Sequence, residues 1–261
     1  ASQAGIGVIG VKNSNHCGCL AYYTAMAANQ RMIGFASTSA PANMPPWGGK
    51  KPYFGTNPFS VAVPAGDEEP IIFDMATSVV ARGKIILAAK EGKSSIPPGW
   101  AIDADGRPTT DPQTALAGSV LPVGGPKGYG LALLVDVLSG LVPGALFGPH
   151  IGDLYRNFDR PQGLGHFFMA MRADLFVPMD EFLARVDQMI REIRSQPCAE
   201  GVERIYIPGE IEAGIARQRR AEGIPRADGG IKDLPNPAHP LGVPFPHALR
   251  PVLPPAPHSP P

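Results

Sequence analysis

The chain has no excess of either charge, little cysteine and no long apolar run. Each shortage excludes something. Its 23 Lys and Arg balance 23 Asp and Glu, for a formal net charge of +0. Nucleic acid and anionic membranes select for clustered positive charge, so neither is expected as a partner. No apolar stretch approaches the roughly 20 residues that cross a bilayer, which argues against a membrane protein. The opening ASQAGIGVIG lacks the basic-then-apolar layout of a signal peptide. Three cysteines cannot all pair, and nothing else implies an oxidising compartment, so a cytoplasmic location is expected. Hydrophobic residues still make up 44% of the chain, too many for a wholly disordered one.

Glycine and proline are plentiful instead, with 31 of each. Average usage is about 7% and 5%. The two are placed differently. Eleven prolines lie between Pro235 and Pro261, where neither helix nor sheet can propagate. Residues 226–261 are therefore expected to be a disordered Pro-rich tail on a body formed by residues 1–225. A passive tail and a PxxP-type docking segment both fit it. The glycines cluster in the body, at Gly48-Gly49, Gly124-Gly125 and Gly128 with Gly130. Such clusters mark tight turns or close backbone approach to a ligand.

Periodicity gives a coarse secondary structure. Strands are predicted at 7–11, 33–37, 59–63, 69–73 and 166–171. Helices are predicted over 17–32, after Asp74 with Val79, Val80, Ile86, Leu87 and Ala88 as its apolar members, over 131–141 as a buried apolar helix, and over 179–194 as an amphipathic one. Residues 39–58 and 94–126 read as loops and turns. Clean β-α-β alternation is missing, so the class is α+β or mixed α/β rather than a regular doubly wound sheet.

Three motifs can carry chemistry. Asn13-Ser14-Asn15-His16-Cys17-Gly18 puts an imidazole where a strand passes to a helix. A helix start disfavours imidazolium, and a neutral imidazole suits proton exchange with a carbonyl or alcohol. A capping or hydrogen-bonded structural histidine is the alternative. Cys17 and Cys19 lack the four ligands of a structural zinc site, so they read as buried inert thiols and no metal is expected. The second motif, Phe73-Asp74-Met75-Ala76-Thr77-Ser78, followed by Arg82 and Lys84, reads either as a phosphate site at a helix start or as an ordinary cap. In the third, Pro122-Val123-Gly124-Gly125-Pro126-Lys127-Gly128-Tyr129-Gly130, a glycine-rich loop with one lysine leads into the apolar helix. Loop amides can cradle an anion while the ammonium neutralises it. It matches neither the Walker pattern nor GxGxxG.

In order, KNSNHCG, MPPWGG, GTNPFSVAVP, FDMATSVVARGK, IPPGWAIDADGRPTTDP, LPVGGPKGYGLALLVDVLSG, GHFFMA and IPGE resemble the malate/L-lactate dehydrogenase family of NAD(P)-dependent 2-hydroxyacid oxidoreductases. The resemblance implies a non-Rossmann fold with a mostly antiparallel cofactor-binding sheet flanked by helices. It implies NAD or NADP as cofactor, a small 2-hydroxy or 2-oxo acid as substrate, and a homodimer. It places the proton donor or acceptor at His16 and dinucleotide contacts at Asp74, Met75 and Ala76. It adds Lys127 and Gly128 of the KGYG motif, and Pro208, Gly209 and Glu210 of a late loop near the cofactor. Thr56 and Asn57 match a loop facing the substrate at the nicotinamide end. Two departures stand out. Ala40 and Pro41 stand where members often carry a side chain that bonds the cofactor. The family's N-terminal Ser-His-Gly segment, with its substrate arginine, precedes the point where this chain starts. A member that binds nucleotide without turnover is therefore the alternative to a working enzyme.

Overall fold

Apolar residues alternate along several short segments, and in the computed structural model these segments lie side by side. The structure describes residues 1–154 and 159–225; the expected tail, 226–261, lies outside the described residues. Strands β1 (Ile6–Ser14), β2 (Met32–Thr38), β3 (Phe59–Val63) and β4 (Ile71–Met75) join a late strand, β8 (Leu164–Arg172), in one sheet of order β1-β8-β2-β3-β4. Every pairing in it is antiparallel. This is the mixed α/β, non-Rossmann architecture that the motifs imply.

The faces of the sheet differ because side chains alternate along each strand. One face is small: Gly34, Ala36, Ser60 and Ala62 share it through the β2–β3 register. Helix α1 (Leu20–Ala28) settles there. A Cβ on Gly34 would lie 2.7 Å from the Thr24 carbonyl, so this approach needs glycine. Thr24 Oγ1 and Ser60 Oγ, 2.8 Å apart, tie helix to strand. The other face carries an aromatic row across four strands, with Phe167–Phe35, Phe35–Phe59 and Phe59–Phe73 centroids 6.0, 6.3 and 5.8 Å apart. On this face Ser37 bonds Ser139 at 2.8 Å. Ser139 lies in a π-helical turn, Val137–Leu141, that continues helix α4 (Pro126–Asp136).

A second core forms where a loop region was predicted. Strands β5 (Ala101–Ile102), β6 (Pro108–Thr109) and β7 (Ser119–Val120) make a small antiparallel sheet of order β6-β5-β7. Helices α2 (Arg82–Lys90) and α3 (Pro112–Ala117) accompany it. Met44, Phe54, Val80, Ile85, Ile96 and Val120 are among the residues buried together here. Two-residue strands are too short to show periodicity, which is why residues 94–126 read as turns. The amphipathic helix is α5 (Met179–Arg194), burying Leu183, Val186, Asp187 and Ile190. Val186 and Ile190 pack with Ile207. Burial opposes ionisation of Asp187, but the amides of Gly66, Asp67 and Glu68, with Arg191, outweigh it and hold the carboxyl below its ordinary range.

Two expectations need correction. Asp74 lies within β4, and the following helix starts only at Arg82, beyond Val79 and Val80; α2 buries Ile85 and Ala88. The apolar helix is not buried all round: Leu134 and Leu141 are 56% and 52% exposed. One stripe of a helix meets the core, whatever the composition of the rest.

The chain divides into two units. The first holds Ala1–Ser195 with Ile207–Gly209; the second contains Gln196–Tyr206 and the chain from Glu210 onward. In the second unit α6 (Glu210–Glu222) buries no residue of its own. Among the described residues no helix is long and apolar enough to cross a membrane.

Candidate active site

The site starts where β1 leaves the sheet. Val11 pairs with His166, the register then shifts, and Ser14 pairs with Leu164. Asn13 in that break takes a left-handed φ of 56°. Residues 15–19 then bridge to α1. His16 is exposed and four residues ahead of Leu20, the first residue of the helix. The helix dipole falls off within the first turn, and His16 lies ahead of that turn rather than at the helix start as expected. His16 Nδ1 accepts the Gly18 N–H at 3.0 Å. In the neutral ring the proton then sits on Nε2. Gln162 holds the same turn, its Oε1 accepting the His16 N–H at 3.1 Å and its own N–H donating to Asn15 Oδ1 at 3.2 Å.

Asp74 reaches this turn from the end of β4. Its Oδ2 accepts the Ala21 N–H at 2.6 Å and the Cys19 thiol at 3.3 Å. The N-cap residue of α1, Cys19, makes no capping bond of its own. Asp74 therefore caps α1 from a distant strand instead of capping a helix that follows it. The thiols are not buried as expected: Cys17 is half-buried, and Cys19 and Cys198 are exposed. Desolvation pushes the Cys17 and Cys19 thiols above their ordinary range. Among the described residues no group of three His, Cys, Asp or Glu side chains could hold a metal ion.

After Asp74 the chain passes Met75 and Ala76, both half-buried, and enters a three-loop junction. Thr77 donates its N–H and its hydroxyl to the Thr56 carbonyl, at 2.9 and 3.0 Å. The Thr77 carbonyl accepts the Val123 N–H at 3.0 Å. So the Thr56 loop, the Asp74 segment and the glycine-rich loop meet. Asn57, beside Thr56, is fully buried with φ 27°. Its Oδ1 accepts the Ala40 N–H at 3.0 Å, and its Nδ2 donates to the Ala132 carbonyl at 2.9 Å and to Asp136 Oδ1 at 3.4 Å.

In the glycine-rich loop, Gly128 lies under Val123, whose carbonyl would be 2.3 Å from any Cβ. The amides that were expected to cradle an anion are already used: those of Lys127, Gly128 and Tyr129 donate to the carbonyls of Gly124, Val123 and Gly125. The Lys127 ammonium is exposed on the first turn of α4 and makes no hydrogen bond or ion pair among the described residues. Arg82 is not available in the same way, since its guanidinium bonds Asn43 Oδ1 and the Leu116 carbonyl. Pro208 accepts the Ile72 N–H at 2.9 Å, and Gly209 packs on Ile72 with φ 91°, two residues before Asp74. Glu210 opens α6 in the second unit and pairs there with Arg204.

Sequence reasoning missed three buried polar residues. His166 is 2% exposed; Nδ1 lies 2.7 Å from Thr38 Oγ1, and Nε2 has no hydrogen-bond partner. Burial is the main force holding its pKa below the ordinary value, helped by nearby His16 and opposed by the Asn15 carbonyl. Its place in the strand motif GHFFMA gave a signal that went unused. Asp136 is 4% exposed, accepts the Gly148 N–H at 3.0 Å, and is pushed above the usual carboxylate range by burial. One acid inside the run LALLVDVLSG was its signal. Gln162 had none.

The family model described as malate/L-lactate dehydrogenase matches residues 1–235. The chain is 43% identical over 223 residues to the L-sulfolactate dehydrogenase of Methanocaldococcus jannaschii, covering 84% of this chain and 62% of that protein. It is 36% identical over 228 residues to the ureidoglycolate dehydrogenase (NAD(+)) of Escherichia coli O157:H7, covering 87% of this chain and 64% of that one. The solved sulfolactate dehydrogenase from M. jannaschii superposes with a TM-score of 0.85 at 40% identity, over 93% of this chain and 69% of its own. The chain thus spans a little under two thirds of the length of these curated relatives. A sheet that is antiparallel throughout, the ordered motifs along it and these matches agree: the chain belongs to the malate/L-lactate dehydrogenase family.

Proposed function

We propose that this chain belongs to an NAD(P)-dependent oxidoreductase that moves a hydride between nicotinamide and a small 2-hydroxy or 2-oxo acid. One observation carries the reading. Hydrogen bonds link the His16 turn to Asp74, and Thr77, after Asp74, to both Thr56 and Val123 of the glycine-rich loop that carries Lys127. Residues scattered over more than a hundred positions are thereby tied into one connected set. The residues fit an anionic cofactor and substrate. Lys127 offers an exposed cation, unpaired among the described residues, and Met75 and Ala76 offer half-buried apolar contact. Pro208 and Gly209 border the same strand, and Glu210 follows them in the chain. NAD or NADP, when bound, supplies the hydride.

The protein's task is to hold the acid and manage a proton. His16 Nε2–H is the donor toward the substrate oxygen. Delivering that proton leaves a neutral ring only if Nδ1 first gains one from water. The Gly18 N–H must then turn away from Nδ1. Gly18 has φ 84°, and nothing lies within 4 Å of where a Cβ would stand, so it has room to turn. Oxidation of the alcohol runs the same steps backwards. Thr56 borders the site, and Asn57 fixes the loop that carries it. The reading also makes the protein cytoplasmic and a homodimer; the exposed Leu134, Leu141 and Val142 on the α4 side support a contact between copies.

The test is titration with NADH and NADPH, followed by reduction assays with the 2-oxo forms of sulfolactate, malate and lactate. Saturable binding of one cofactor, and its oxidation on addition of a 2-oxo acid, are expected. Absence of binding by either cofactor contradicts the reading.

A further inference from the structure

The turn that carries His16 is exposed, and its strand cannot hold it. Ladder pairing between β1 and β8 breaks between Val11 and Ser14 and ends at Ser14↔Leu164. Continued in that antiparallel register, His16 would stand opposite residue 162. At this level the main-chain ladder gives way to contacts made by Gln162. Its N–H donates to Asn15 Oδ1 at 3.2 Å, and its Oε1 accepts the His16 N–H at 3.1 Å. Its Nε2 donates to the Gly152 carbonyl at 3.2 Å, and its carbonyl accepts the Gly152 N–H at 2.9 Å. Gln162 is 4% exposed, while Asn15 and His16 are exposed. A buried amide, fixed at both ends, thus grips a turn that has no core of its own.

We infer that Gln162 is a positioning residue, which sets the place of the His16 imidazole by holding the His16 main chain. The inference rests on His16 being the proton-transfer residue. A polar side chain buried at this position has a clear use. Without it, the His16 main chain, set between the left-handed Asn13 and the open Gly18, loses the acceptor of its N–H, while the Tyr23 hydroxyl still holds the Cys17 carbonyl at 2.8 Å. Proton transfer depends on hydrogen-bond reach, so a small displacement of the acid lowers turnover more than it lowers substrate binding.

The experiment combines kinetics with hydrogen–deuterium exchange at the His16 amide. Gln162→Met keeps the length and apolar volume of the side chain and removes its two side-chain contacts, to the His16 N–H and the Gly152 carbonyl, while the main-chain bonds to Asn15 and Gly152 stay in place. It is expected to lower kcat by about 10- to 100-fold with KM changed little, in line with the cost of an ångström-scale misplacement. The His16 amide should exchange at least about tenfold faster, as expected for an exposed turn that has lost its acceptor. Gln162→Glu keeps an oxygen for the His16 N–H and should recover part of both losses. If Gln162→Met folds poorly, Asn15→Ala removes one contact from the exposed side and should move kcat and exchange the same way, by less. Wild-type kcat in Gln162→Met, or lost kcat with unchanged His16 exchange, overturns the positioning role. His16→Ala separates the two layers. Wild-type turnover in His16→Ala removes the acid–base reading and this inference with it. Lost turnover in His16→Ala beside normal turnover in Gln162→Met removes only the inference.

Discussion

Replacing Asn57 with alanine separates two roles for the loop beside Thr56. If the side chain touches substrate, its loss raises KM and leaves stability alone. The structure points to stability. Asn57 is fully buried and bonds Ala40, Ala132 and Asp136. Truncation leaves the Ala40 N–H and the Asp136 carboxylate each short of a partner, at about 1–3 kcal/mol per buried polar group. Alanine must also adopt the left-handed φ of 27°, a region asparagine tolerates better than alanine, which adds up to about 1 kcal/mol. Some relaxation is certain, so the sum is about 3–5 kcal/mol. At about 2–4 °C per kcal/mol for a domain of this size, Tm should fall by about 6–20 °C. A thermal melt followed by circular dichroism reads this directly. Asn57→Asp sharpens the test, because it sets a second carboxylate against Asp136. Its loss should be larger at neutral pH than in mild acid. A raised KM with Tm within about 1 °C of wild type would refute the reasoning, since two buried polar groups left without a partner cannot be free of cost.

Three further outcomes follow from neighbouring groups. Asp74→Ala uncaps α1 and should cost about 0.5–2 kcal/mol in urea unfolding, the usual range for a lost N-cap. Burial raises the Asp136 carboxyl above its ordinary value, against the pull of the Gly148 amide and Asn57. The folded state therefore binds this proton more tightly than the unfolded state does. Its contribution falls as pH rises from the ordinary carboxylate value through the raised one. Asp136→Asn should flatten that part of a stability-versus-pH curve; an unchanged slope contradicts the assignment. Lys127→Ala should weaken cofactor or substrate binding about tenfold, as for one charge-assisted hydrogen bond. Its melting temperature should stay at the wild-type value, because the ammonium makes no internal contact among the described residues.

Strands were legible wherever alternation was uninterrupted. Phe59–Val63 is β3 to the residue, and Met179–Arg194 is α5 to the residue. The aliphatic stripe of α5 and the alternation of β3 are local facts, so local reading finds them. The small sheet of β5, β6 and β7 was hidden because two-residue strands have no period. The motif residues were also legible, but their tasks were not. Asp74 looked like a cap for the helix after it, yet it caps α1, whose first turn lies 53 positions earlier. That pairing exists only once β4 and α1 share the sheet. The resemblance set Asn57 on a loop facing the substrate, and its burial depends on Asp136 arriving from α4. Gln162 carries no pattern at all. Its importance comes from a register break in β1 that becomes visible only when β8 lies beside it.

The central claim is that His16 carries the proton in a hydride transfer that this chain supports. The most direct measurement is single-turnover reduction of a 2-oxo acid by bound NADH or NADPH, in wild type and His16→Ala. Loss of a positioned general acid typically costs about 10²–10⁴-fold. A fall of that size, with cofactor affinity and Tm preserved, is the expected result. Equal rates in the two proteins would contradict the account and move the proton to another group.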